Sequence, residues 1–175
     1  DMLAGFGEHK PVWAHTESFG EFGTALLPYV LAAHTDQIWV QPTGECGLGG
    51  VRAQITLLRG GFDKLGVEPQ FGQRHEYKTA ANTYAADHIT EPQREMTARL
   101  GQSVVESLVS DIARRRKLST EAVWEAVNDA PVEPERALEI GLIDKIGYRD
   151  EAYAAVLKAW QGEPESLLFA HRYSN

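Results

Sequence analysis

The run Thr24-Ala25-Leu26-Leu27-Pro28-Tyr29-Val30-Leu31-Ala32-Ala33-His34-Thr35-Asp36-Gln37-Ile38-Trp39-Val40 changes character in its middle. Residues 24–35 are apolar on nearly every side, which predicts a buried helix. Pro28 falls in its first turn, where a missing N–H costs little. Gln37 to Val40 is short and β-rich, which predicts a strand closed by Pro42 and the glycine loop Gly44-Glu45-Cys46-Gly47-Leu48-Gly49-Gly50. Working upstream, Ser18-Phe19-Gly20-Glu21-Phe22-Gly23 reads as a glycine-punctuated turn. Pro11-Val12-Trp13-Ala14-His15 reads as a strand after the break Gly7-Glu8-His9-Lys10. Downstream, Ile55, Leu57, Leu58, Phe62 and Leu65 recur at near-helical spacing and predict a second helix over 54–65. Gly60 and Gly61 weaken it by about 1 kcal/mol each, and Gly66 is a natural stop. Residues 67–71 predict a further strand. This strand–helix alternation predicts an α/β fold with parallel pairing.

Beyond Lys78 the pattern becomes helical. Glu91 to Arg116 predicts one long amphipathic helix, with Met96, Leu100, Val104, Leu108 and Ile112 as its apolar stripe, widened by Val105 and Val109. Thr90 precedes it as a cap and Pro92 sits in its first turn. Arg94, Arg99, Glu106, Arg114, Arg115 and Arg116 are read as its solvated face. Ser119 is the expected N-cap of the next helix, with Glu121 and Glu125 near its positive end. A short helix over 133–140 stops at Gly141, a small strand and turn follow over 142–147, and a last helix runs over 150–160. The tail from Gly162 is polar, then apolar at Leu167-Leu168-Phe169.

The chain has 175 residues, enough for one domain with a hydrophobic core and short for two. Its net charge of -8 argues against nucleic acid as a partner and against docking on anionic lipid. Cys46 is the one cysteine, which excludes an internal disulfide and suits a reducing compartment. The apolar stretch around Pro28 is too short to cross a bilayer. No signal peptide is read at the N-terminus, and the abrupt start reads as a piece of something longer.

The six histidines are scattered with no cysteine or carboxylate at ligand spacing, so no metal and no cofactor is expected. The glycine loop lacks the lysine and Ser/Thr of a phosphate cradle. Cys46 inside it reads as a small buried residue, because no particular histidine is placed to activate it. The informative stretch is Arg74-His75-Glu76-Tyr77-Lys78-Thr79-Ala80-Ala81, expected at the exit of a strand. A lysine amine is ordinarily protonated at neutral pH. Desolvation, or a neighbouring positive charge such as Arg74, makes such an amine available as a base. On spacing alone, a solvated loop lysine is the commoner outcome.

Arg74-x-Glu76-Tyr77-Lys78-Thr79-Ala80 resembles the lysine motif of the signal peptide peptidase A family, also called protease IV. Lys10-Pro11-Val12, Ser18-Phe19-Gly20-Glu21, the stretch Asp36-Gln37-Ile38-Trp39-Val40-Gln41-Pro42-Thr43-Gly44, Phe62-Asp63-Lys64-Leu65-Gly66-Val67 and Ala137-Leu138-Glu139-Ile140-Gly141-Leu142-Ile143-Asp144 resemble other parts of the family in order. The resemblance implies a Clp/crotonase-like fold of strand–strand–helix units with C-terminal helices. It assigns 1–161 to one such peptidase domain, truncated at its N-terminus, and 162–175 to a linker or the start of a following half. It implies a Ser–Lys dyad that cleaves peptides such as remnant signal peptides, with Lys78 as the general base.

The serine does not carry over: the stretch equivalent to the family's serine motif is Ala25-Leu26-Leu27-Pro28-Tyr29-Val30. The chain therefore resembles the N-terminal, lysine-bearing half of a long member, inactive alone because an amine base without a nucleophile has nothing to deprotonate. Its expected partners are a peptide substrate, the C-terminal serine-bearing half and further copies in a homo-oligomer. Its expected place is the bacterial cell membrane, with any anchor outside this segment. Tyr77 and Thr79 are candidate orienters of the amine. The competing readings are a catalytically inactive assembly module of the same fold and a crotonase-like enzyme acting on acyl-coenzyme A.

Overall fold

The computed structural model describes residues 10–20 and 25–169. The expected break at Gly7, Glu8 and His9, the end of the turn at Glu21, Phe22 and Gly23, the helix start at Thr24, and His171 lie outside the described residues. The elements run β1 (Trp13–Thr16), α1 (Leu26–Ala33), β2 (Gln37–Val40), α2 (Arg59–Lys64), a 3-10 turn (Thr79–Ala81), α3 (Asn82–Ala85) and α4 (Glu91–Arg116). They continue as α5 (Thr120–Asn128), α6 (Pro134–Glu139), β3 (Lys145–Ile146), α7 (Arg149–Trp160) and a 3-10 turn (Pro164–Ser166). The chain divides into two compact units, 1–50 with 108–175, and 51–107. The division falls inside α4.

The first unit is α/β. Its sheet is parallel, in the order β1-β2-β3. Trp13 pairs with Gln37 and Thr16 with Val40, while Trp39 pairs with Lys145 and Val40 with Ile146. On β2, Ile38 and Val40 are fully buried whereas Gln37 and Trp39 are half-covered, the two-residue alternation of a strand with one face in the core. Trp39 stacks on Trp13 of the neighbouring strand, ring centroids 6.1 Å apart. α1 buries Leu26, Tyr29, Ala32 and Ala33. Tyr29 meets Phe19 edge-on and donates its hydroxyl to the Leu142 carbonyl at 2.6 Å, so a polar tip in the core is satisfied.

The glycine loop is wired into this unit. Phe19 N–H donates to Glu45 O and Gly47 N–H to Phe19 O, while Cys46 exchanges both backbone hydrogen bonds with Val132. A Cβ on Gly44 would stand 2.0 Å from the Glu17 carbonyl oxygen, so only glycine allows this approach. Gly141, at φ +81, ends the turn after α6 in the left-handed region.

Three expectations need correction. Helix 54–65 shrinks to Arg59–Lys64, because the Leu58 N–H donates to the Thr83 carbonyl and is lost to any earlier helical turn. Residues 67–71 form no strand: Pro69 lacks an N–H, and no neighbouring strand pairs with the segment among the described residues. The third strand of the sheet is instead Lys145–Ile146. On α4, Met96, Leu100 and Val104 are exposed, and the buried apolar positions are Val105, Val109, Ile112 and Ala113. A strict four-residue repeat advances about 40° per step and walks off any one face of a 3.6-residue helix, whereas 105, 109 and 112 stay on it.

The second unit is loop-rich. Phe62 and Phe71 gather on Tyr84, and only Asn82, Gln93 and Val105 fall in the buried class among its described residues. Leu65, Val67, Phe71 and Leu100 are exposed.

Candidate functional site

Lys78 lies in the second unit, at the mouth of a turn rather than at the end of a strand. His75 adopts a left-handed backbone, φ 65, and its carbonyl accepts the Lys78 N–H at 3.3 Å. A non-glycine residue there is uncommon, though histidine tolerates the region better than most. Lys78 then caps the 3-10 turn Thr79–Ala81, which runs directly into α3. Gln73 Nε2 donates to the Lys78 carbonyl at 2.9 Å. The Lys78 side chain is exposed, and so is Arg74, the suggested neighbouring charge.

Both flanks of the lysine are tied to the start of α4. On the N-terminal side the Tyr77 hydroxyl donates to Glu95 Oε2 at 2.7 Å, and this bond to the carboxylate pushes the phenol pKa up. On the C-terminal side Asn82 is buried, and its Nδ2 donates to Thr90 Oγ1 at 3.2 Å and to Gln93 Oε1 at 3.1 Å. Gln93 is buried too. Thr90 begins α4, its carbonyl accepting the Arg94 N–H. An open groove of about 490 Å³ lies among Gln73, His75, Glu76, Asn82, Thr90 and Pro92. A second groove of about 400 Å³, lined by Val51, Ala53, Ile55, Ile89 and the Thr97–Val105 side of α4, is more apolar.

Of the two candidate orienters, Tyr77 is held by Glu95 and Thr79 is half-buried at the start of the 3-10 turn. Asn82, Gln93 and Glu95 went unnoticed in the sequence. The available signal was an Asn four residues after the lysine and polar side chains in the first turns of a helix expected to be amphipathic.

Cys46 belongs to the first unit and is fully buried. Burial, with a smaller contribution from Glu45, pushes its thiol up to about 12, which suits a packing residue and not a nucleophile. Arg116, read as solvated, is the opposite: its guanidinium forks onto both Asp144 oxygens at 3.0 and 2.8 Å and its Nε donates to the Gly141 carbonyl.

An α/β protein with a lysine set on a loop pinned from both sides is the class these residues define. The model of peptidase family S49 matches residues 5–161. The chain belongs to that family, the signal peptide peptidase A peptidases. It is 26% identical over 159 residues to the chloroplastic serine protease SPPA of Arabidopsis thaliana, an alignment covering 86% of this chain and 24% of the relative. The chain thus spans about a quarter of that relative's length.

Proposed function

We propose that this chain supplies the general base of a serine peptidase, with Lys78 as the lysine of a Ser–Lys dyad and the serine carried by another part of the same protein. The observation that carries the reading is the S49 match across residues 5–161, which includes the Arg74-to-Ala80 motif around Lys78. The parallel order β1-β2-β3 supports a Clp/crotonase-like framework for the first unit.

In this mechanism the Lys78 amine accepts the serine proton as the hydroxyl attacks the scissile carbonyl, then returns a proton to the leaving amine. The reaction needs that amine uncharged, and on this chain its side chain is exposed. The dryness therefore comes from the serine-bearing part closing over the loop. The exposed Leu65, Val67, Phe71 and Tyr77 of the same unit give such a partner apolar surface to cover. The substrate is a peptide bound in extended form, and remnant signal peptides fit the family. The segment on its own is inactive.

The test is Lys78→Ala in the full-length parent, assayed for peptide hydrolysis and for labelling by a fluorophosphonate. Turnover is expected to fall at least ~10³-fold, the scale for removing a member of a dyad that acts as a unit. Wild-type turnover in the variant would remove Lys78 from the mechanism.

A further inference from the structure

Lys78 sits on a loop, itself outside any strand or helix, yet general-base catalysis depends on placing the amine to within a fraction of an ångström. What holds the loop is a pair of side-chain ties to one short stretch of α4. Asn82, four residues after the lysine, is buried and donates from one amide nitrogen to Thr90 Oγ1 and Gln93 Oε1. Tyr77, directly before the lysine, donates to Glu95. Thr90, Gln93 and Glu95 lie within six consecutive residues, so both ends of the Lys78 turn are referred to one rigid support. The buried amide pair is the firmer tie, because neither partner can exchange its hydrogen bond for one to bulk water.

Resting on the assignment of Lys78 as the base, we infer that Asn82 and Tyr77 are positioning residues that fix the Lys78 turn against the first turns of α4. They act through the lysine and touch no substrate. The tie is geometric: removing it leaves Lys78 present but free to wander, which lowers the rate of the chemical step more than it weakens substrate binding.

The experiment uses the full-length enzyme and a fluorogenic peptide, with kcat and KM measured separately across pH and the thermal midpoint recorded for each variant. Asn82→Ala is expected to lower kcat about 10- to 100-fold with KM within about 2-fold. Tyr77→Phe, which removes only a hydroxyl at an exposed site and leaves the fold intact, is expected to lower kcat about 3- to 10-fold and to move the acid limb of the kcat profile. Glu95→Gln keeps an acceptor for the phenol and is expected to retain wild-type kcat, whereas Glu95→Ala is expected to reproduce Tyr77→Phe. Two results overturn the inference separately from the Lys78 assignment. One is wild-type kcat in both Tyr77→Phe and Asn82→Ala while Lys78→Ala is dead. The other is a loss in Tyr77→Phe that raises KM and leaves kcat and its pH profile unmoved. Wild-type turnover in Lys78→Ala overturns the assignment and the inference together.

Discussion

Asp144 takes part in four hydrogen bonds. Its carboxylate accepts both guanidinium nitrogens of Arg116 and the backbone N–H of Ile38, while its own N–H donates to the Ile38 carbonyl and its residue precedes β3. The end of α4, the centre of β2 and the start of β3 therefore meet on one side chain. The Arg116 side chain is 9% exposed and Asp144 32% exposed, so solvent screens the pair only in part. Arg116→Ala is expected to cost about 2–3 kcal/mol, and Arg116→Lys nearly as much because an ammonium cannot reproduce the fork. Urea unfolding checks both, and a loss below about 0.5 kcal/mol in the alanine variant would contradict the reading. Cys46 gives a pH prediction. Below its ordinary value of 9.0 the thiol is protonated folded or unfolded, so it contributes no pH dependence. Between 9.0 and about 12 the unfolded chain releases the proton and the folded chain keeps it. Stability should therefore fall as pH rises through that window, by about 1.4 kcal/mol per pH unit from this group. Tyr29, pushed upward by burial against a smaller opposing pull from Arg116, adds to the fall above its ordinary value of 10.0. Denaturant midpoints from pH 8 to 11 measure the slope, and Cys46→Ala should flatten its lower part.

The elements differ in how far local sequence determines them. α5 starts where its cap dictates: Ser119 Oγ accepts the Ala122 N–H at 3.1 Å from an extended backbone. Ser119→Ala should cost about 1 kcal/mol, with Ser119→Asp close to wild type; equal stability of serine and alanine by thermal melting would show the cap to be idle. α7 shows the same local logic, with the Glu151 carboxylate accepting the Tyr148 N–H at 2.7 Å. Both helices stand within a residue or so of where capping residues and periodicity put them. α2 does not, because the limit on its start is the Leu58–Thr83 hydrogen bond, a contact between segments some 25 residues apart in the chain. Arg116 escaped notice for a related reason. In a run of three arginines at a helix end nothing local distinguishes the one that meets Asp144, and only Arg116 among them forks onto that carboxylate.

Across the molecule, stability should be uneven. The unit of 1–50 and 108–175 contains the parallel sheet and nearly all the buried side chains, including Tyr29, Ile38, Leu48, Ile112 and Leu142. The 51–107 unit buries little and rests on the Phe62–Phe71–Tyr84 cluster and the Asn82–Gln93 pair. Native-state hydrogen exchange is expected to be slow in β2 and α5 and orders of magnitude faster over 51–86. Comparable protection in the two would contradict the division. If the serine-bearing part covers the Lys78 loop, that same region should gain protection in the full-length enzyme.

By itself the sequence determined the α/β class, the β1-α1-β2 start, the extent of α4, the start of α5 and the motif around Lys78. These depend on hydrophobic periodicity, caps and glycine stops, which act over a few residues and are written in them. Tertiary structure decided which strand completes the sheet, which arginine meets Asp144 and which side chains hold the lysine turn. Those outcomes depend on atoms brought together from distant parts of the chain. No window of sequence contains Asn82 and Gln93, or Arg116 and Asp144, as neighbours until the backbone has folded around them.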